Sequence, residues 1–160
     1  MFVLVAVTLL GLMAGIAGSS WQTIVTRAKE QELLWRGGQI RQAIGSYYRT
    51  AHGGGQLSFP ANFEQLLKDP RFAGTKRHLR RHYLDPMTGE DWDLIKEPNG
   101  RIKGVRSSSQ KEPFKKDNFS TENEKLAGKT KYSEWEFIYV PAKKNDSSAK
   151  SPAVPKQPGS

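Results

Sequence analysis

The chain has 160 residues, with 25 Lys and Arg against 16 Asp and Glu, a formal net charge of +9 and no cysteine. The lack of cysteine excludes a disulfide framework and thiolate chemistry. The length, with the two ends set aside, leaves one small domain of roughly 100 residues and a modest core. The positive balance favours anionic lipid, nucleic acid or acidic protein surfaces as partners without choosing a fold.

From Phe2 to Gly18 no side chain is charged, and the first charge in the chain is Arg27. Counted on through Trp21 to Val25, the run reaches the roughly 20 mostly apolar residues that a helix needs to cross about 30 Å of hydrocarbon. Backbone groups in lipid must satisfy one another, so an inserted run is helical, and nothing at its end obliges the helix to stop. Residues 1–25 are therefore expected to be a retained anchor. A cleaved secretory signal and a buried soluble helix are the competing readings. For the former, Ala14 to Ser20 is small enough but the basic start is missing. Gly11 and Gly15 form a small-xxx-small pair, extended by Gly18, that lets neighbouring helices approach closely, although glycine is also common in spanning helices. Arg27, Lys29 and Arg36 follow the run, and the positive-inside rule taken literally puts the head in the cytoplasm.

Beyond the run, Leu33, Ile40, Ile44 and Tyr47 recur on one helical stripe with Gly37 between the first two, while Arg36, Gln39, Arg41, Gln42 and Arg49 take other faces. One helix is expected from about Phe2 to Ala51, ended by Gly53-Gly54-Gly55. Pro60, Asn62 and the set Phe63, Leu66, Leu67 predict a short second helix that stops before Asp69-Pro70 and lies against the first. Trp92 to Lys96 and Arg101 to Arg106, joined by Glu97-Pro98-Asn99-Gly100, read as a hairpin. Trp92 and Leu94 alternate with Asp91 and Asp93, and the run from Glu134 to Val140 alternates similarly, as half-buried antiparallel strands do. The expected fold is α+β, a long N-terminal helix packed on a small antiparallel sheet. Residues 26–140 form the head, with Ile40, Ile44, Tyr47, Trp92 and Trp135 in its core. Residues 141–160, rich in Lys, Ser, Ala and Pro, cannot bury enough surface to fold and are expected to be a disordered tail.

Three clusters bear on chemistry. Lys76, Arg77, Arg80 and Arg81 could meet phosphate, but only Phe72 and Tyr83 flank them as stacking platforms. A solvated or protein-docking face is favoured over anionic headgroups or DNA. Asp85, Glu90, Asp91 and Asp93 gather four carboxylates, short of the six or more converging oxygens of a hard-cation site. His52, His78 and His82 lack a zinc spacing with a third ligand. No cofactor or metal is expected, and no nucleophile-and-base motif stands out that would make the chain an enzyme.

The apolar helix that turns amphipathic, the glycine break, the small helix and the terminal sheet resemble type IV pilin-like proteins, and particularly type II secretion pseudopilins. The resemblance is carried by Glu32-Leu33-Leu34, Arg41-Gln42-Ala43-Ile44 with Tyr47-Tyr48, and Arg77-His78-Leu79-Arg80-Arg81. It continues in Tyr83, Asp85-Pro86-Met87-Thr88-Gly89, Trp92, Gly104-Val105-Arg106-Ser107 and Tyr132-Ser133-Glu134-Trp135. It implies a single-pass inner-membrane protein with a periplasmic head, partnered by other pseudopilin subunits, an assembly platform and membrane lipid, with nucleic acid disfavoured. It also implies a basic leader ending in Gly, cut before a Phe that is then N-methylated. Met1 stands where that Gly belongs and Phe2 is the candidate methylated residue, and a restored leader reverses the orientation given by the positive-inside rule. At the fifth place after the cut, where many pilins carry Glu, this chain has Ala6, which favours a minor or tip role. A DNA-binding minor pilin and a single-pass membrane scaffold are the alternatives.

Overall fold

The computed structural model describes residues 2–50 and 57–141, and for residues 2 and 8–20 the description is of the backbone alone. The side chains of Phe2, Gly11, Gly15 and Gly18, the Gly53-Gly54-Gly55 break and residues 142–160 thus lie outside the described residues. The architecture is α+β, a long N-terminal helix against a small antiparallel sheet. Helix α1 runs unbroken from Phe2 to Arg49, 48 residues or about 72 Å at 1.5 Å per residue. Among the described residues no helix is long and apolar enough to cross a membrane, and residues 8–20 of the apolar run lie outside that description.

The two ends of α1 live in different surroundings. Val3, Leu4, Val5 and Val7 are exposed, as are Trp21, Ile24 and Val25. Burial begins at Glu30 and continues through Leu33, Gly37, Ile40, Ile44 and Tyr47. Steps of three and four place all six on one stripe, so the second half of α1 is the spine of the head.

Helix α2 is one turn, Glu64–Leu67, ending before Asp69-Pro70, with Leu66 buried and Phe63 and Leu67 partly buried against the core. The Asn62 side chain accepts the Gln65 N–H at 3.1 Å, and the Gln65 side chain accepts the Ala61 N–H and the Tyr47 hydroxyl, both at 2.9 Å. That last bond ties the turn to α1.

The sheet has the order β1-β2-β3, antiparallel throughout, from β1 Asp93–Lys96, β2 Ile102–Arg106 and β3 Glu136–Ile138. Glu97 to Gly100 close the β1–β2 hairpin, with Gly100 at φ +80°, a conformation costly to any residue with a Cβ. Two sequence expectations are corrected. Leu94 is 40% exposed rather than half-buried on the same face as Trp92, because α1 packs chiefly beneath β2 and β3 and leaves β1 overhanging. The last strand is three residues rather than seven. Glu134 belongs to a 3-10 turn, Tyr132–Glu134, with the Trp135 N–H donating back to the Tyr132 carbonyl at 3.0 Å.

Two glycines let the sheet approach α1, and a third lets β2 and β3 lie close together. A Cβ on Gly37 would stand 2.5 Å from the Phe137 ring, and one on Gly45 would stand 2.6 Å from the Tyr139 ring. A Cβ on Gly104 would meet the Phe137 carbonyl at 2.7 Å. Phe137 and Tyr139, two apart on one strand, therefore seat their rings on backbone two helical turns apart. Gly37→Ala should lower stability by about 1–2 kcal/mol, because overpacking outweighs a helix-propensity gain of up to about 1 kcal/mol. Gly38→Ala, with nothing within 4 Å of the added methyl, should raise stability by about 0.5–1 kcal/mol. Urea denaturation followed by Trp fluorescence reads both, and equal effects at the two positions would show the ring contact to be wrong.

Candidate functional site

The residues singled out by sequence separate into a packed interior and an exposed basic face. Ile40, Ile44, Tyr47, Trp92 and Trp135 are all buried, in one cluster with Leu33, Val105 and Phe137. The Trp92 indole N–H donates to the Tyr83 carbonyl at 3.0 Å, so the ring is fixed by polarity as well as by packing.

At the distal end of α1 the segment after α2 folds around Asp69, whose side chain is fully buried. Its carboxylate accepts Arg71 Nε at 2.9 Å and Nη2 at 2.7 Å, the Arg71 N–H at 3.0 Å, and lies 3.0 Å from His78 Nε2. The other His78 nitrogen, Nδ1, hydrogen-bonds Ser46 Oγ at 2.8 Å. Arg71 also donates to the Tyr47 carbonyl at 2.9 Å and lies 3.7 Å over the Tyr47 ring, adding a second donor to an acceptor of the last helical turn that the Thr50 N–H reaches at 3.3 Å. Burial alone would raise the Asp69 carboxyl, but the bonds from Arg71 and His78 outweigh it and hold the group well below the usual carboxylate range. Burial pushes the Tyr47 hydroxyl up, and the bond to Asp69 raises Arg71 further.

Ser46, His78 and Asp69 connect in the order of a nucleophile, base and orienter. Their surroundings suit a different task. Asp69 is already neutralised bidentately by Arg71, and Ser46 sits inside α1, where the neighbouring N–H groups serve the helix instead of an oxyanion. The arrangement clamps the loop of residues 69–78 to the helix.

With His78 and Leu79 turned inward, Lys76, Arg77, Arg80 and Arg81 are left exposed. Arg77, Arg80 and Arg81 line a shallow basin of about 460 Å³ with Lys68, Thr75 and His82. Lys76 is not part of it and lies over the Phe72 ring at 5.6 Å. Arg81 lies over the Tyr83 ring at 5.0 Å, and Tyr83 is itself buried. Both aromatics that could have stacked on bases are thus covered by the protein's own cations.

The four carboxylates do not converge. Asp85 is buried, accepting the Ser107 hydroxyl at 2.6 Å and the Met87 N–H at 2.8 Å, which pins the Asp85–Gly89 turn to the end of β2. Asp91 faces His82 and Asp93 faces Arg106 at the surface. Among the described residues no group of three His, Cys, Asp or Glu could hold a metal ion.

One residue of consequence was not singled out from sequence. Glu30 is 6% exposed and accepts the Phe114 N–H at 2.8 Å, the Lys115 N–H at 3.0 Å and the Tyr132 hydroxyl at 2.7 Å. Burial, followed by the bond to Glu30, pushes the Tyr132 hydroxyl far up. The signal was available, because Glu30 continues the Leu33, Gly37, Ile40 stripe one step toward the N-terminus.

No family model, curated protein or solved structure matches the chain.

Because the Asp69 carboxyl is held lower in the folded state than in the unfolded chain, its stabilisation is fully present above about pH 4 and lost as pH falls below that range. Asp69→Asn should cost about 3 kcal/mol at pH 7 by stranding Arg71, and should make the loss of stability below about pH 4 shallower than in the wild type. Urea titrations across pH test both, and parallel curves would remove Asp69 from the acid response. For the basic face, duplex DNA should bind weakly at physiological salt, with the four-site neutralisation of Lys76, Arg77, Arg80 and Arg81 changing little. Submicromolar binding that vanishes in that variant, with the salt slope falling by up to roughly 4, would make the face a phosphate site.

Proposed function

We propose that the chain is a pseudopilin-like structural subunit of a type II secretion or type IV pilus-like apparatus. In this reading it is anchored in the inner membrane by the first half of α1, with its head in the periplasm. The observation that carries the proposal is the division of one unbroken helix. In its first half the described side chains are mostly apolar and exposed, Gln22 and Thr23 being the polar ones, and its second half is the buried spine of a head closed by a three-stranded sheet. A surface of Val3, Leu4, Val5, Val7, Trp21 and Ile24 is costly in water and favourable against lipid or the helices of neighbouring subunits. The order of the resembling segments from Glu32-Leu33-Leu34 to Tyr132-Ser133-Glu134-Trp135 supports the same class.

The mechanism is mechanical. An assembly ATPase and a platform protein extract the subunit from the bilayer into a short filament, whose growth pushes cargo outward. Gly11, Gly15 and Gly18 provide the close approach between anchors, and Phe2 is the residue exposed by leader removal and then N-methylated. Ala6, at the place where many pilins carry Glu, favours a minor or tip position. With the gene's native upstream sequence, a periplasmic reporter fused after Val140 should be active and a cytoplasmic one silent. Mass spectrometry of the mature protein should find N-methylated Phe2 at its start. The opposite reporter pattern would sink the secretion reading in favour of a scaffold facing the cytoplasm.

A further inference from the structure

We propose that the base of the head, where α1 enters it, is a docking surface for anionic phospholipid headgroups formed by Arg27, Lys29, Phe114, Lys115 and Lys116. It rests on the anchored-subunit reading and adds a lipid class and a site to it. The level of these residues along α1 comes first. Trp21, Ile24 and Val25 are exposed apolar side chains, and Arg27 and Lys29 follow within about one turn. If the apolar run is inserted, those two cations stand at headgroup depth with Trp21 at the interface, where amphipathic rings prefer to lie. Arg27 and Lys29 are about 200° apart around the helix, so positive charge stands on both of its sides.

The second observation is that the fold carries a remote loop to the same level. Glu30, one turn beyond Arg27, binds the Phe114 and Lys115 N–H groups, although those residues lie more than eighty positions further along the chain. The Arg27 guanidinium is 5.8 Å from the Phe114 ring centroid. Phe114 remains 49% exposed, held at the base by its backbone while its ring faces outward. A half-exposed ring next to Arg27, at the level of Lys29 and Lys116 and with the Lys115 ammonium 5.1 Å from the Phe119 ring centroid, matches a headgroup region, which offers acyl surface to the ring and phosphate to the cations. The one ion pair among these cations, Lys116 with Glu112, is at the surface, both side chains being more than 60% exposed.

The second basic face of the protein serves as the contrast. It is tied to α1 at Ser46, sixteen residues or about 24 Å beyond Glu30, and a screening length of about 8–10 Å leaves it out of the headgroups' reach. Only the base is placed to read the charge of the bilayer that holds the anchor.

The full chain has no cysteine, so a single one can report on each face. Asp117→Cys at the base and Thr75→Cys on the distal face, each carrying an environment-sensitive fluorophore, are reconstituted into phosphatidylcholine vesicles with or without phosphatidylglycerol. Acrylamide should quench the Asp117 probe about threefold less when phosphatidylglycerol is present, and the Thr75 probe equally in both. The protection should disappear at ~0.5 M salt and in the Arg27→Gln, Lys29→Gln, Lys115→Gln, Lys116→Gln variant. Equal quenching of the Asp117 probe in the two vesicle types, or protection that survives salt, overturns the inference even if the variant fails to fold, because both are read on the otherwise native chain. Alkaline carbonate extraction separates the two levels. A chain that resists extraction yet shows equal quenching leaves the anchor standing and removes the lipid site, whereas release from both vesicle types removes the anchored reading and the lipid site together.

Discussion

The head depends on the contact between the aromatic rings of β3 and the glycine-floored face of α1. Phe137 is fully buried, and a ring of that size contributes about 1.5–3 kcal/mol relative to exposure, but only if the strand comes close enough to close the gap. The approach is set by backbone on both sides, with Gly37 and Gly45 beneath the rings and Gly104 beside the β3 main chain. Side chains at Gly37 and Gly45 would push the sheet outward, and one at Gly104 would disturb the β2–β3 pairing. The Ile40, Ile44 and Val105 contacts that share the cluster would then open as well. Dense packing makes such a gap expensive, since each lining atom loses its partners outright.

Much of this was legible because apolar periodicity is a local signal. The stripe of Leu33, Ile40, Ile44 and Tyr47 and the Pro98-Asn99-Gly100 turn were readable from neighbours in sequence, and α1 and the hairpin lie where those signals put them. What sequence missed depends on contacts between distant segments. Leu94 reads as an inward strand residue, and its exposure follows from how far α1 extends beneath the sheet. Glu134 reads as the start of the last strand by alternation, yet it closes a 3-10 turn whose Tyr132 donates to Glu30, a residue about a hundred positions earlier. His78 reads as one more member of a basic run, and its inward turn is decided by Asp69 and Ser46. Burial of a charged or polar group is a property of its partners, which alternation and composition do not name.

Two polar fastenings, one at each end of the buried stripe, give the head its mechanical character. At the distal end Asp69, Arg71 and His78 bind the segment after α2 to the last turn of the helix. At the base Glu30 binds the loop at 114–115 and the turn at Tyr132 to the point where the helix enters the head. Between them the strands lie on the helix through apolar contact, which is non-directional and could slide, while Arg36 and Arg41 tie the outer side of the helix to Leu84, Glu122 and Asn123. Hydrogen bonds at the ends are directional and fix the register of that contact.

This division of labour bears on how the chain would behave under a pulling force. Force applied along the first half of α1 reaches the head at Glu30, before any apolar contact of the stripe is loaded. A buried carboxylate accepting three hydrogen bonds resists separation because breaking them leaves a buried acceptor unsatisfied, a penalty of about 1–3 kcal/mol or more. The load passes on to the Tyr132 turn, and from there through the adjacent Trp135 backbone into β3 and the sheet. An apolar residue at position 30 could fill the same space but could not hold the loop's N–H groups, and the base would peel before the core moved. A carboxylate on an otherwise apolar stripe is thus the residue type that makes helix and head move as one body.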